Sequence, residues 1–158
     1  MSNADEVIRL IKAGMYDEAY KKADVSSSSD CRAVALAFIN EEQYEYAYKF
    51  GRGCSSSSDC RDVAVALAKG KATEYAYKIG RGCSSSSDCR EAAISLAMNG
   101  ATEEAFELGK NCSSSSDCRC VAEALIEARA YEKAALLTKH MSSSSDEEYI
   151  LSEIKRRR

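Results

Sequence analysis

The chain repeats one pentapeptide, Ser-Ser-Ser-Ser-Asp, at a constant interval of 29 residues. Its five copies begin at Ser26, Ser55, Ser84, Ser113 and Ser142. A fixed period of about 20 to 50 residues is typical of proteins in which stacked supersecondary units contact mainly their neighbours. We therefore predict a single repeat domain over 1–158. Its four complete units are 26–54, 55–83, 84–112 and 113–141.

The residues after each pentapeptide follow the pattern of a helical hairpin. Ser27 and Asp30 match a helix-start signature, in which a serine accepts a backbone N–H and an acid lies near the positive helix end. Val34, Ala35 and Phe38 then share one helix face, and a second helix starts near residue 44. The second helix of each unit contributes to an alanine column at Ala47, Ala76, Ala105 and Ala134. We predict an all-α fold, a right-handed α-solenoid of stacked helical hairpins.

Glycines and one variable position refine the prediction for each unit. Gly70 and Gly100 are expected to break the chain between the two helices, because glycine adopts conformations that other residues avoid. Gly51 with Gly53, and Gly80 with Gly82, are expected to weaken the last turn of the second helix and to favour chain reversal. The residues equivalent to Tyr46 in the later units are Tyr75, Glu104 and Lys133. This variety predicts a solvated surface at the position.

Two shorter segments flank the complete units. Residues 1–25 place Val7 and Ile11 on one helix face before a second helical stretch, which predicts an N-terminal capping hairpin. Residues 142–158 place Ile150, Leu151 and Ile154 on the apolar side of an otherwise charged segment, which predicts a C-terminal capping helix. Such caps are needed because a terminal unit has one uncovered face.

Two segments resemble the middle of a tetratricopeptide repeat. They are 13–19 (AGMYDEA) and 96–105 (LAMNGATEEA), in which the glycine would end a first helix and the last alanine would lie at a helix crossing. The resemblance implies a superhelix of helical hairpins that cradles a peptide on its concave face. The chain departs from the family in its period of 29 residues and in its lack of tryptophan and proline. No peptide-clamp residue is carried over by motif.

Six of the eight cysteines form C-x5-C pairs across the repeated pentapeptide. These candidate disulfide residues are Cys54 with Cys60, Cys83 with Cys89, and Cys112 with Cys118. Three interpretations stay open: a small hydrophobe in the core, a disulfide worth about 2 kcal/mol by loop closure, or a metal ligand. Structural zinc prefers closer cysteines and often histidine, whereas His140 is the sole histidine, so we expect no metal site.

Four cysteines are predicted to lie in the first turns of helices, each beside an arginine. They are Cys31, Cys60, Cys89 and Cys118. A helix N-terminus and a neighbouring cation both lower the pKa of a thiol, which makes reactive thiols an alternative to structural ones. No C-x-x-C motif and no paired base accompany them, so we expect no catalytic residue, no enzyme activity and no cofactor.

Charge and hydropathy exclude two classes of partner. The formal net charge of −3 and the isoelectric point near 5.4 argue against a nucleic-acid partner. No apolar run of about 18 residues and no signal-peptide core occur, so we expect no membrane partner and a cytoplasmic location. The regular columns of Asp and Arg predict an exposed Asp–Arg ladder, with each pair worth less than about 1 kcal/mol. We expect a monomer.

The loops of this chain vary less than its helices, which is the reverse of the usual ranking. A helix cap needs one hydroxyl rather than four, so the uniform pentapeptide favours an engineered origin. We therefore predict a non-catalytic helical-repeat scaffold that requires no partner. The alternative is a tetratricopeptide-like adaptor that binds a peptide or protein on its concave face. Its contact positions would be Ala33, Asn40, Asp62, Lys69, Glu91, Met98, Cys120 and Glu127.

Overall fold

A computed structural model describes residues 2–158 as α-helices and short connections. The eleven α-helices of this range are α1 (Ala4–Lys12), α2 (Tyr16–Lys22), α3 (Ser28–Asn40), α4 (Tyr44–Gly51), α5 (Ser57–Lys69), α6 (Thr73–Gly80), α7 (Ser86–Met98), α8 (Thr102–Gly109), α9 (Ser115–Glu127), α10 (Tyr131–Leu137) and α11 (Ser144–Arg157). A 3-10 turn, Thr138–His140, follows α10. Residues 2–158 contain no strand, so the all-α prediction is confirmed. Met1, which belongs to the predicted capping hairpin 1–25, lies outside the described residues.

The helices form two rows. Helices α1, α3, α5, α7, α9 and α11 contact one another in that order and form the first-helix row. Helices α4, α6, α8 and α10 do the same and form the second-helix row, and each consecutive pair such as α3 and α4 makes a hairpin. Within residues 2–158, every extensive helix contact joins partners in one hairpin or in adjacent ones. The division into capping and complete units stays a prediction. In α11, Ile150 and Ile154 are buried as predicted, but Leu151 is 43% exposed because it lies on another side of the helix.

The core is a continuous layer between the two rows. At one position per hairpin, the first-helix row buries a large side chain with 0 or 1% of its surface exposed. These residues are Phe38, Leu67, Leu96 and Leu125. The alanines of the second helices are fully buried against them, at Ala47, Ala76, Ala105 and Ala134. A small side chain at this crossing lets the two backbones approach, and the large side chains fill the space between successive hairpins.

The glycines that end the second helices serve close packing rather than chain reversal. A Cβ atom built on Gly80 would lie 2.8 Å from Leu108 Cδ1, and one on Gly109 would lie 2.9 Å from Val121 Cγ1. The corresponding atom on Gly51 would also meet side chains of the next hairpin, at 3.0 Å. The predicted chain reversal occurs at Gly53 and Gly82, which lie in the turns after α4 and α6. Gly51 and Gly80 remain helical, and their lack of a side chain admits the neighbouring hairpin.

The turn inside each hairpin contains one residue with a left-handed backbone conformation. The φ angles are 81° at Gly14, 60° at Glu42, 64° at Lys71, 90° at Gly100 and 63° at Arg129. The prediction for Gly100 is confirmed. Gly70 also lies between the two helices, as the residue after α5, but its φ is −80°. The left-handed residue of this turn is the next one, Lys71. A Cβ atom on Gly70 would lie 2.7 Å from the Tyr44 hydroxyl, so this glycine makes room for a tyrosine.

Tyrosines of the second helices are half-buried rather than solvated. Tyr46 stacks on Phe38 with a centroid distance of 5.2 Å, and Tyr48 stacks on Tyr75 at 4.9 Å. Glu104 and Lys133, which occupy the same position in later hairpins, are also half-buried. The prediction of a solvated surface at position 46 is wrong, because a neighbouring hairpin covers one side of it.

Candidate functional site

The third serine of each pentapeptide connects one hairpin to the next. The Ser28 hydroxyl accepts hydrogen bonds from the backbone N–H groups of Ser55 and Ser56, at 3.0 and 2.9 Å. It also donates a hydrogen bond of 2.7 Å to the Asp59 carboxylate. Equivalent hydroxyls accept a backbone N–H of the next pentapeptide at 3.0 to 3.1 Å. The pairs, with the acceptor hydroxyl first, are Ser57 and Ser85 N–H, Ser86 and Ser114 N–H, and Ser115 and Ser143 N–H. One hydroxyl therefore fixes the start of the following first helix.

The second serine of each pentapeptide is the residue before the helix. The hydroxyl of Ser27 accepts a hydrogen bond from the Asp30 N–H at 3.2 Å, and Ser114 and Ser143 cap their helices in the same way. The hydroxyls of Ser56 and Ser85 instead contact the fourth serine of their own tract. The first serine is exposed in every tract. Different serines of one tract thus have different physical roles.

Arginine and aspartate side chains link consecutive first helices. Arg61 Nη1 donates to Asp88 Oδ1 at 2.8 Å, and Arg90 Nη1 donates to Asp117 Oδ1 at 2.7 Å. The ladder that the sequence predicts is therefore present, but its acidic half is not exposed. Asp88 and Asp117 are only 7% and 8% exposed, and the arginine of the preceding first helix lies against each of them. A hydrogen bond from a cation to a buried carboxylate is stronger than one at an open surface.

The first-helix row carries an open groove of about 590 Å³ along α3, α5 and α7. Three of the predicted contact positions line it: Asp62, Lys69 and Glu91. Ala33, Asn40, Cys120 and Glu127 do not, and the Met98 side chain is 68% exposed outside it.

The floor of the groove is apolar and was missed by the sequence analysis. Leu36, Val65 and Ala66 form this floor. The signal was the apolar column at Leu36, Val65 and Ile94, which recurs at 29-residue spacing on the side of the first helices opposite the core.

The charges of the groove are paired with each other. Arg61 contacts Asp62 at 3.0 Å as well as Asp88, and Arg90 contacts Glu91 at 2.8 Å. Burial acts to raise the pKa of Asp62, but hydrogen bonds from Arg32 and Arg61 outweigh it and lower the pKa below 3.8. A carboxylate held ionised by two arginines is a weak candidate for a general acid or base near neutral pH.

The candidate disulfide residues lie in the interior beside the junctions. Cys54, Cys60, Cys89, Cys112 and Cys118 are buried and Cys83 is half-buried, and each is a free thiol in this structure. The C-x5-C pairing stays a prediction. Residues 2–158 contain no group of three or more His, Cys, Asp or Glu side chains placed to hold a metal ion.

Burial is the largest cause of the raised pKa at several of these thiols. It raises the pKa of Cys54 and of Cys83 to about 12, and that of Cys118 to about 11. Burial also raises the pKa of Cys31 and Cys60. Burial at Cys31, Cys60 and Cys118 acts against the reactive-thiol alternative, because loss of hydration disfavours the thiolate.

Two further observations bear on the class of protein. None of the helices described in residues 2–158 combines the length and hydropathy that crossing a membrane requires. Comparisons with models of protein families, with curated proteins and with solved structures find no match for this chain. We therefore infer its function from the residues and contacts described above.

Proposed function

We propose that this chain is a non-catalytic helical-repeat scaffold, a right-handed α-solenoid of 29-residue hairpins that resembles a tetratricopeptide array. One observation carries the proposal: extensive helix contacts join only the same or adjacent hairpins, and the same serine bond recurs at all four junctions between consecutive pentapeptides. A protein whose units interact only with their neighbours can gain or lose a unit without a change of fold. Its function then lies in the surface it presents.

An engineered origin is part of this proposal. The third serine of the first four copies and the aspartate of the last four have side-chain contacts that favour their identity. The first serine is exposed in all five tracts, and nothing in the structure explains why it never varies. Uniformity at an unconstrained loop position supports editing of the sequence by a designer.

Removal of one internal unit tests the scaffold proposal. Deletion of 84–112 joins two identical pentapeptide contexts, so we expect a folded, helical and less stable protein. A tandem duplication of 84–112 should raise stability and add a constant increment to the maximum dimension in small-angle X-ray scattering. Circular dichroism and urea denaturation report the folding of both variants.

Deletion of 84–98 alone is the matched control. It removes α7 and its pentapeptide but leaves α8 without a partner, so cooperative unfolding should be lost. If deletion of 84–112 unfolds the protein as thoroughly as this control does, the scaffold proposal is wrong.

The apolar floor of the groove supports a second candidate function, a peptide-binding adaptor. Leu36 and Val65 are half-buried apolar side chains between paired charges, which is the composition of many peptide-recognition grooves. Selection of displayed random peptides on the wild-type protein and on Val65→Glu tests it. Enrichment on the wild type alone supports an adaptor, with Leu136→Glu on exposed Leu136 of α10 as the control. Equal enrichment on all three proteins would exclude the groove as the binding surface.

A further inference from the structure

Seven of the eight cysteines form one line along the junctions, which we call the thiol spine. Its members in order are Cys31, Cys54, Cys60, Cys83, Cys89, Cys112 and Cys118. Cysteines of the first helices alternate in this order with cysteines that lie three residues after the end of a second helix, which we call second-helix cysteines. After burial, the pKa of Cys54 is raised most by the charges of Cys60 and Cys31, and Cys83 responds in the same way to Cys60 and Cys89. Each second-helix cysteine therefore has a first-helix cysteine on both sides.

Interatomic distances place the first-helix thiols against both neighbours. Cys60 Sγ donates a hydrogen bond of 3.0 Å to the carbonyl of Cys54, the preceding member of the spine. A Cβ atom built on Gly53, the residue before Cys54, would lie 2.8 Å from Cys31 Sγ. The equivalent atom on Gly82 would lie 4.0 Å from Cys60 Sγ. Cys60 thus contacts the chain beside the cysteine that precedes it and the chain beside the cysteine that follows it.

The same arrangement continues in the next hairpin. Cys89 Sγ and Cys112 Sγ approach the same carbonyl oxygen, that of Leu108, at 3.2 and 3.9 Å. These two cysteines are separated by 23 residues and do not belong to one C-x5-C pair. The thiols within one hairpin therefore lie around one shared carbonyl, as well as beside the thiols across the junction.

We propose that the thiol spine is a thiol–disulfide relay, in which each second-helix cysteine can form a disulfide with the first-helix cysteine on either side. One set of bonds crosses the junctions: Cys54 with Cys60, Cys83 with Cys89, and Cys112 with Cys118. The other set lies within hairpins: Cys31 with Cys54, Cys60 with Cys83, and Cys89 with Cys112. The oxidant is a small disulfide of the glutathione class.

The chemistry balances at each step. A protein thiolate attacks glutathione disulfide, forms a mixed disulfide and releases one glutathione thiolate. The neighbouring protein thiol, as its thiolate, then attacks the mixed disulfide and releases the second glutathione. Two protein thiols are oxidised to one disulfide, and one glutathione disulfide is reduced to two glutathione molecules.

Exchange along the spine needs no further oxidant. The Cys31 thiolate attacks Cys54 Sγ of a Cys54–Cys60 disulfide, the old S–S bond breaks, and Cys60 leaves as a thiolate that takes up a proton. The free thiol has then moved from Cys31 to Cys60. Two more steps of the same kind bring it to Cys118 and convert one set of bonds into the other.

The odd number of thiols gives the relay a testable rule. With three disulfides between neighbours in a line of seven, one thiol is left over, and it is always a first-helix cysteine. The permitted free thiols are Cys31, Cys60, Cys89 and Cys118. The second-helix cysteines Cys54, Cys83 and Cys112 are never free in the fully oxidised protein.

A pocket gives the oxidant access to one end of the spine. It has a volume of about 340 Å³ and reaches Cys31, and Lys49 and Arg52 lie at its side. Two cations beside a thiol suit glutathione disulfide, which carries several carboxylates. Because burial raises the pKa of Cys31 and of its neighbour Cys54, we expect oxidation at this end to be slow near neutral pH and faster at pH 8.5.

Alkylation of the oxidised protein tests the rule. The folded wild-type chain is incubated with glutathione disulfide at pH 8.5, blocked with N-ethylmaleimide, reduced, labelled with iodoacetamide and digested with trypsin. In molecules with three disulfides, we expect N-ethylmaleimide on Cys120 and on Cys31, Cys60, Cys89 or Cys118. N-ethylmaleimide on Cys31 and Cys120 alone would show isolated junction pairs. N-ethylmaleimide on Cys54, Cys83 or Cys112 would show random pairing. Either result overturns the relay.

Two variants fix the register and provide an independent measurement. In Cys118→Ser, only bonds within hairpins pair all six thiols, so trypsin should release 23–32, 53–61, 82–90 and 111–119 as one disulfide-linked species. In Cys31→Ser, the three peptides 53–61, 82–90 and 111–119 should each hold an internal disulfide and lose 2 Da. Cys120→Ser lies off the spine and should match the wild type. The relay is excluded if Cys118→Ser gives only internally bonded peptides.

Discussion

The turn inside a hairpin and the junction between hairpins solve the same problem, a reversal of chain direction, in opposite ways. The turns have unrelated sequences: EEQ at 41–43, GKA at 70–72, NGA at 99–101 and ARA at 128–130. Nevertheless each has a left-handed middle residue, and each has the same two backbone hydrogen bonds, such as Lys71 N–H to the Ala68 carbonyl at 3.0 Å. The junctions have one sequence, and their hydrogen bonds are made by side chains.

This difference shows where sequence identity is required. A turn that is closed by backbone groups accepts any residue that can bear a left-handed φ, at a cost of about 1 kcal/mol when it is not glycine. A junction that is closed by a hydroxyl and a carboxylate loses its bonds when either side chain changes. The invariance of the third serine and of the aspartate, beside turns of variable sequence, follows from that difference in donor and acceptor.

The largest expected effect is in the junction, and an alanine scan of the tract 26–29 measures it. Ser28→Ala should lower the free energy of unfolding by about 2 kcal/mol, because two backbone N–H groups and Asp59 lose their partner. Ser27→Ala should cost about 1 kcal/mol as a lost helix cap. Urea denaturation measures both values.

Ser26→Ala and Ser29→Ala are the matched controls for that scan. Both serines are exposed, so each substitution should change stability by less than about 0.5 kcal/mol. Equal effects at all four positions would mean that the junction is held by its backbone, and the contrast with the turns would disappear.

The turns should respond to backbone conformation alone. Lys71→Gly should stabilise the protein by about 1 kcal/mol, because it relieves a left-handed φ of 64° on a residue with a Cβ atom. Gly100→Lys should destabilise it by a similar amount, because nothing lies within 4 Å of the site and only the φ of 90° resists the change. Thermal denaturation of the two single variants and of their combination, which should be near neutral, checks both signs.

The smallest expected effect is a pH dependence of the ladder. The folded pKa of Asp62 lies below its ordinary 3.8, so its contribution to stability is complete above pH 3.8 and is lost as pH falls through the lowered value. The stability difference between the wild type and Asp62→Asn should therefore shrink between pH 6 and pH 3. We expect a difference of about 0.5 kcal/mol at pH 6, since the carboxylate and both arginines are partly exposed. A difference that stays constant or grows as pH falls would contradict this linkage.

Features of the fold that depend on residues close together in the chain could be predicted from the sequence, and features that depend on another hairpin could not. The hairpin pattern at Val34 and Phe38 was predictable because burial on a helix face follows from spacing along a few turns. The packing role of Gly51 and Gly80 was missed because the atoms that exclude a Cβ there come from the next hairpin. The groove floor at Leu36 was missed for the same reason, since its neighbours come from another helix.

By itself, the sequence determined the helical periodicity, the class of fold and the positions where helices start, because backbone hydrogen bonds and the burial of one helix face depend on neighbours within a few residues. The roles of the repeated residues depend on how the hairpins stack. Stacking brings the third serine to its hydrogen-bond partners and buries Asp88 and Asp117 of the ladder. It also raises the pKa of junction thiols such as Cys54 and Cys83 by burial. These properties arise between residues about one repeat apart, where stacking sets the distance and desolvation sets the strength of each interaction.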